Sequence, residues 1–282
     1  MKKNFVVFSL LLVMSANIFA AAQVDLQGFT HIACELQPRI VHESADRHFT
    51  HPHIPFRQRT SLTESTSTNW AGYAALTNLT HPTAHTVSYV AGTWTVPTLS
   101  PLAGHTYCSM WVGVDGYDSN SVEQLGTEHD WVNGKQVNSA WFEMYPQYPY
   151  TINGFPANPG DSISASVVYQ GNNIFVLTII NNTRKVYFVV PTSYTKSATA
   201  QRVSAEWVCE APYSNQVLPL SNFGTVNFSN CVATINGVQG AINNSTWQAD
   251  ALTMVTSTGA TKALVSGLSS NGENFSVTWK HQ

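Results

Sequence analysis

Charge is what this sequence has least of. Only 10% of its 282 residues are Asp, Glu, Lys or Arg, and the formal net charge is −3. With no basic face to assemble, nucleic acid is excluded as a partner. The shortage is not that of a disordered chain, because hydrophobic residues make up 43% and aromatic residues 11%, enough to build a core. Few carboxylate pairs stand to be lost as pH falls, which predicts a measure of acid tolerance. Cysteine is also scarce. Cys34, Cys108, Cys209 and Cys231 show no C-x-x-C spacing, which removes zinc ribbons and dithiol redox motifs. No stretch sustains a 3.6-residue period with caps at both ends. The usual catalytic signatures are missing as well. There is no G-x-S-x-G elbow, Glu128-His129 lacks the second histidine of H-E-x-x-H, and "VDGY" around Asp115 is not the Asp-Thr/Ser-Gly of aspartic proteases. His81 and His85 lie in a proline-containing loop and read as structural.

What is present begins with an export signal. Lys2 and Lys3, an apolar run from Phe5 to Met14 and the small residues Ala20-Ala21-Ala22 compose a signal peptide over residues 1–22. The run is too short to span a bilayer, and no later one is long enough. The expectation is a protein exported to the periplasm or the medium, free of the membrane once the signal is removed, and monomeric. Residues 23–65 hold His31, His42, His48, His51 and His53 with poor hydrophobic periodicity. This region reads as a prosegment whose histidines charge below about pH 6.5. Export permits disulfides. Cys209 and Cys231 would close a modest loop, although sequence does not fix a pairing.

From residue 66 to 282 the rhythm changes to period two. In "SYVAGTWTVP" Val90, Gly92, Trp94 and Val96 share a face. "DSISASVVYQGNNIFVLTIIN" reads as two strands around Gly171-Asn172-Asn173, and Asn271-Gly272 marks another turn. The pattern predicts one all-β domain, a two-sheet antiparallel sandwich.

Within it, "VEQLGTEHDW" (122–131) offers three acids, a histidine and one amide. Two further acids sit beside tryptophans in strand-like settings, Glu143 in "SAWFEMYP" and Glu206 in "SAEWVCEAP". Parity puts Trp141, Glu143 and Tyr145 on one face, and Val122, Gln124 and Gly126 on another. A mid-strand glutamate points either to solvent or into a lined cleft, and base rates favour solvent.

These stretches carry a resemblance. "NWAGY" (69–73), "GTWTVP" (92–97), "WVGVDG" (111–116), "EQLG" (123–126), "AWFEMYP" (140–146), "AEWVCE" (205–210) and "FGTVNF" (223–228) occur in the order of the glutamic peptidases, the eqolisins. The chain resembles that family over nearly all of its length after residue 65. The resemblance implies a concanavalin A-like sandwich of two curved antiparallel sheets with a peptide cleft on the concave face. It also implies a Gln–Glu dyad at Gln124 and Glu206, and a peptidase needing no cofactor or metal and insensitive to pepstatin. Trp141, Glu143 and Tyr145 would line the cleft, supported by Asp115 and Trp111. For Trp111 plain core packing is an equal alternative, and Asp115 reads equally as a turn residue bonded to backbone amides. Glu128 and Ser139 stand where the family commonly has Asp.

Chemically, Glu206 would be the general base on water and then the acid for the leaving amine. An ordinary glutamate, titrating near about 4.3, suits that work in mild acid, whereas a histidine there would already be protonated. Gln124 can donate to the developing oxyanion at any pH, and Gly126 would leave room for substrate. The other acids and His129 read as rim or turn residues, with Glu128 tuning the cleft. The expected function is a secreted acid endopeptidase acting on polypeptides. Its rivals are a sandwich glycoside hydrolase using Glu143 and Glu206 and a non-catalytic lectin-like module.

Overall fold

The computed structural model describes residues 26–39, 55–61 and 64–282, with only the backbone path for 55–61. Its strands in chain order are β1 (Thr30–His31), β2 (Glu35–Pro38), β3 (Pro55–Ser61), β4 (Glu64–Ser67), β5 (Trp70–Leu76), β6 (Val87–Thr95) and β7 (Thr106–Val114). They continue as β8 (Val122–Val132), β9 (Lys135–Tyr145), β10 (Tyr150–Asn153), β11 (Ser162–Gly171), β12 (Ile174–Asn181) and β13 (Val186–Val189). The last are β14 (Ser204–Glu210), β15 (Thr225–Ile235), β16 (Val238–Ala241), β17 (Gln248–Val255), β18 (Thr261–Val265) and β19 (Phe275–Trp279). No helix occurs among the described residues. The signal peptide and His42, His48, His51 and His53 lie outside them.

The pairings resolve into two layers. The first runs β3-β4-β17-β5-β14-β7-β8-β9-β10-β2. The second runs β19-β15-β6-β11-β12-β13-β1, with β16 beside the far half of β15. Strand β18 pairs with both β17 and β19 and stitches the layers together. This is the all-β sandwich that the period-two pattern predicts. The pairings are antiparallel except β1–β13 and β4–β17. Both exceptions come from the N-terminal segment, whose strands are short, lie at the edges, and so leave little hydrophobic period in the sequence.

Local chemistry fixes the hairpins. Gly171, Asn172 and Asn173 take φ of 92°, 52° and 60° between β11 and β12, the left-handed values that Gly and Asn tolerate. Asn133-Gly134, at 52° and 74°, turns β8 into β9 as a type I′ hairpin would. That turn sets the register of the two strands that carry most of the site.

Two apolar clusters then decide what each face does. Between the layers lie Val90, Trp94, Val112, Leu125, Phe142, Leu177 and Trp207 with their neighbours. On the other face of the first layer a second cluster gathers Trp70, Trp111, Trp141, Val208 and Leu252. Strands β5, β7 and β14 are consequently buried on both faces along their whole length. Each large apolar side chain so removed from water contributes about 1.5–3 kcal/mol.

The Cys209–Cys231 pairing does not hold. All four cysteines are free thiols. Cys209 belongs to β14 in the first layer and Cys231 to β15 in the second, so each packs into the core as a small apolar group from its own side.

Candidate active site

Register builds the site as rows across the first layer. On the outer face, Glu206 of β14 pairs with Gly113 of β7, Gly113 with Gln124 of β8, and Gln124 with Glu143 of β9. Two strand spacings put the Cα atoms of Glu206 and Gln124 about 10 Å apart, with only a glycine between them. Both side chains are fully buried in this chain. Gly113 is there for space: a Cβ would stand 3.0 Å from Gln124 Cβ and 3.0 Å from the Trp111 ring. Gln124 Nε2 donates to Glu143 Oε2 at 2.8 Å, while Gln124 Oε1 has no hydrogen-bond partner among the described residues. The amide is thus oriented from behind by Glu143, with its acceptor left open.

The next row carries the aromatic floor, Val208–Trp111–Gly126–Trp141. Trp111 Nε1 donates to Glu210 Oε2 at 2.8 Å, Trp141 Nε1 donates to Ser109 Oγ at 2.9 Å, and Trp70 meets Trp111 edge-on at 4.8 Å. Trp111 and Trp141 therefore belong to the outer face, not to the core between the layers. Gly126 has a different purpose from the one its sequence suggested. A Cβ there would fall 2.2 Å from the Met110 carbonyl and 2.5 Å from Trp111 Cβ, so its missing side chain accommodates β7 itself. Tyr145, at the end of β9, is half-buried opposite Val122.

The acids are not rim or turn residues. Glu123, Glu128 and Asp130 are all buried, as is His129. His129 faces the other way, its Nδ1 donating to Asn138 Oδ1 (2.9 Å) and its Nε2 sharing a hydrogen bond with Thr127 Oγ1 (2.9 Å). Burial pulls its pKa down to about 4, so it is neutral in mild acid, contrary to the sequence expectation. Glu206 differs as well. Burial raises its carboxyl well above the ordinary range, with Asp115 and Glu123 adding to the rise. Ser204 and the Tyr117 amide face it and pull the other way, yet neither carboxyl oxygen completes a hydrogen bond of ordinary geometry. Glu210 and Asp130 are likewise pushed well up by burial.

Asp115 is a turn residue. With φ 72°, its carboxylate accepts the amides of Gln201 (2.7 Å), Arg202 (2.6 Å) and Val203 (2.8 Å), which fixes the chain entering β14. Sequence reasoning missed three neighbours. Tyr117 donates to Asp250 Oδ2 at 2.5 Å, and the Ser65 hydroxyl donates to the same oxygen. Asp250 lies opposite Ala74, which lies opposite Glu206. Gly113 lies in "WVGVDG", but only the register shows that it separates Gln124 from Glu206.

One further residue has no sequence signal. Arg39, just past β2, is buried on the outer face, its Nη2 3.1 Å from Glu128 Oε2 and its guanidinium carbon 6.0 Å from the centre of the Trp141 ring. Glu128 is paired across strands with Ser139, so the two departures from the common family pattern face each other beside this arginine. Among the described residues no group of three or more His, Cys, Asp or Glu is gathered as for a metal ion.

Against known proteins, the model of the Peptidase A4 family matches residues 68–279. No curated protein matches the chain by sequence. Among solved structures, scytalido-glutamic peptidase with a transition-state analogue inhibitor is similar at 22% identity and TM-score 0.63, over 76% of this chain and 98% of that one. SCP-B, an eqolisin in complex with the tripeptide Ala-Ile-His, is similar at 22% identity and TM-score 0.58, over the same 76% and 98%. Aspergilloglutamic peptidase from Aspergillus niger gives 24% identity and TM-score 0.56, over 62% of this chain and 99% of its own. At these identities the likeness is one of fold.

Proposed function

The chain belongs to the Peptidase A4 family, the glutamic peptidases or eqolisins, and from that premise we propose that it is a secreted acid endopeptidase working through Gln124 and Glu206. The observation that carries the reading is the row Glu206–Gly113–Gln124–Glu143, an acid and an oriented amide facing one another across a glycine. A peptide laid over that gap presents its carbonyl to the Gln124 amide, which stabilises the oxyanion as it forms. Glu206 takes a proton from water as the oxygen attacks, then returns it to the departing nitrogen, leaving both groups as they began. Trp111 and Trp141 form the apolar floor and Tyr145 the rim. The solved relatives bound to a transition-state analogue and to a tripeptide support a polypeptide substrate.

Residues 1–22 act in this account as the export signal and 23–65 as a prosegment. Supporting the second is Arg39, held between Glu128 and Trp141 on the face that substrate needs. A carboxyl that keeps its proton cannot take another from water, so the buried Glu206 of the full chain is at rest. Departure of the segment would hydrate Glu206 and bring its carboxyl back toward the ordinary range, so that it ionises in mild acid.

The glycosidase reading fares worse. Glu143 and Glu206 are three strand spacings apart, about 14 Å between Cα atoms, with Gln124 between them and bonded to Glu143. That bond turns the Glu143 carboxyl toward the amide, whereas a glycosidase needs both carboxyl groups aimed at one glycosidic bond. The test is cleavage of denatured protein at about pH 3 to 5 with pepstatin and a chelator both present. Persistent cleavage supports the proposal, and suppression by either reagent rejects it.

A further inference from the structure

Behind the outer face lies a second pair of carboxyl groups that the reaction above does not use. Glu123 is next to Gln124 on β8 but points the opposite way, in a row with Ala205, Val114 and Met144, all members of the core between the layers. It is fully buried, and neither of its oxygens completes a hydrogen bond of ordinary geometry. It reaches toward Asp115 and Ser197, with the charge of Arg202 nearby. Arg202 is engaged elsewhere: its Nη1 donates to the Val87 carbonyl at 2.9 Å and its guanidinium stacks on Tyr169 at 3.8 Å. Asp115, by contrast, holds three backbone amides and the Ser121 hydroxyl (3.4 Å).

Glu123 lies opposite Val114, the residue next to Asp115, and two buried carboxyl groups so placed cannot both be charged without a large penalty. The amide bonds favour charge on Asp115, because a carboxylate accepting backbone N–H groups is stabilised as the anion. Glu123 has no such support. We propose that Glu123 holds a proton and shares it with the Asp115 carboxylate, and that this proton locks the segment 201–203 and so positions Glu206. Glu123 is thus a positioning residue, acting through Asp115 on the entry to β14, and the inference rests on Glu206 being the catalytic acid–base. The titratable and charged groups around it are Asp115 at the end of β7, Arg202 before β14 and Glu206 on β14. Burial raises Glu123 well above the ordinary carboxyl range and raises Asp115 as well. As pH climbs through the pair's titration the proton leaves to solvent, two anions face each other in the core, and the 201–203 segment loosens.

The experiment follows the amides of Gln201, Arg202 and Val203 by hydrogen exchange across pH, with exchange rates divided by their intrinsic values, in the wild-type chain and in Glu123→Gln. A glutamine can donate to Asp115 without titrating. In the wild type, protection of these three amides should fall at least about tenfold over the alkaline limb of kcat/KM. Glu123→Gln should keep that protection relative to the core amides of Val112 and Trp207, which report the stability of the whole fold, and move the limb up by about one pH unit or more. Protection that does not change with pH in the wild type overturns the proposal even if the variant fails to fold. A protected variant whose limb stays in place overturns the link to Glu206. Exchange is read without turnover, so a chain that cleaves no peptide would refute the peptidase reading and still decide the carboxyl pair.

Discussion

Raising the pH should unfold this protein from within. Glu123 beside Asp115, Glu128 beside Asp130, Glu206 and Glu210 all have carboxyl pKa values raised by burial. An acid whose folded pKa lies above its unfolded one binds more protons in the folded state. Its contribution is whole below the unfolded value and is lost as pH rises toward the folded one. Each retained proton costs about 1.4 kcal/mol per pH unit in that window. Counting each close pair as one proton gives four, an upper limit of about 5 kcal/mol per unit above roughly pH 4.5. His129 opposes them. Its folded pKa of about 4 against a model value of 6.5 means that the fold loses about 3 kcal/mol as pH falls through that interval. Between those limits the net slope is therefore at most about 4 kcal/mol per unit, against a typical total of about 5–15 kcal/mol. Denaturant titrations of the full chain from about pH 3.5 to 7 measure it directly. Stability should peak in acid, near about pH 4 to 5, and fall as pH rises toward neutrality. A stability that is flat, or that rises from pH 5 to 7, would refute the burial of these groups as protonated acids.

Other outcomes follow from single contacts. Gly113→Ala places a methyl 3.0 Å from Gln124 Cβ and the Trp111 ring. It should lower kcat/KM at least about tenfold by displacing the amide, at a stability cost of about 1–3 kcal/mol; steady-state kinetics beside thermal melts check both. Arg39→Met keeps the apolar stem over Trp141 and removes the charge, so the full chain should begin cleaving with a shorter lag, read from a fluorogenic peptide; an unchanged lag contradicts the blocking contact. Denatured without reductant, the described cysteines should titrate as four thiols per chain.

The second layer was the more legible of the two. Val90, Gly92 and Trp94 alternate in β6 because its other face carries Ala91 and Thr93, and period two survives where only one face is apolar. Strands β5, β7 and β14 lose that contrast, since Trp111 and Val208 outside match Val112 and Trp207 inside. There parity told which residues share a face, but not that both faces are covered. Glu123, Glu128 and Asp130 looked like wet residues because charged side chains mostly are, and only the packing reveals that they are dry, Glu123 on the side between the layers and the other two on the outer face. Gln124 and Glu206 could be named from motif order, whereas their facing across Gly113 needed the register. Arg39 was beyond reach. It meets Glu128 through the pairing of β2 with β10, a long-range contact between an edge strand and the site.

The central claim is that Gln124 and Glu206 together do the chemistry. It is tested most directly by kcat/KM for one peptide at about pH 4, measured on wild type, Gln124→Ala and Glu206→Gln after removal of the N-terminal segment. Both variants should keep the wild-type circular dichroism spectrum and lose about 10²-fold to 10³-fold or more in kcat/KM. Either variant retaining activity within about tenfold of wild type would contradict the account.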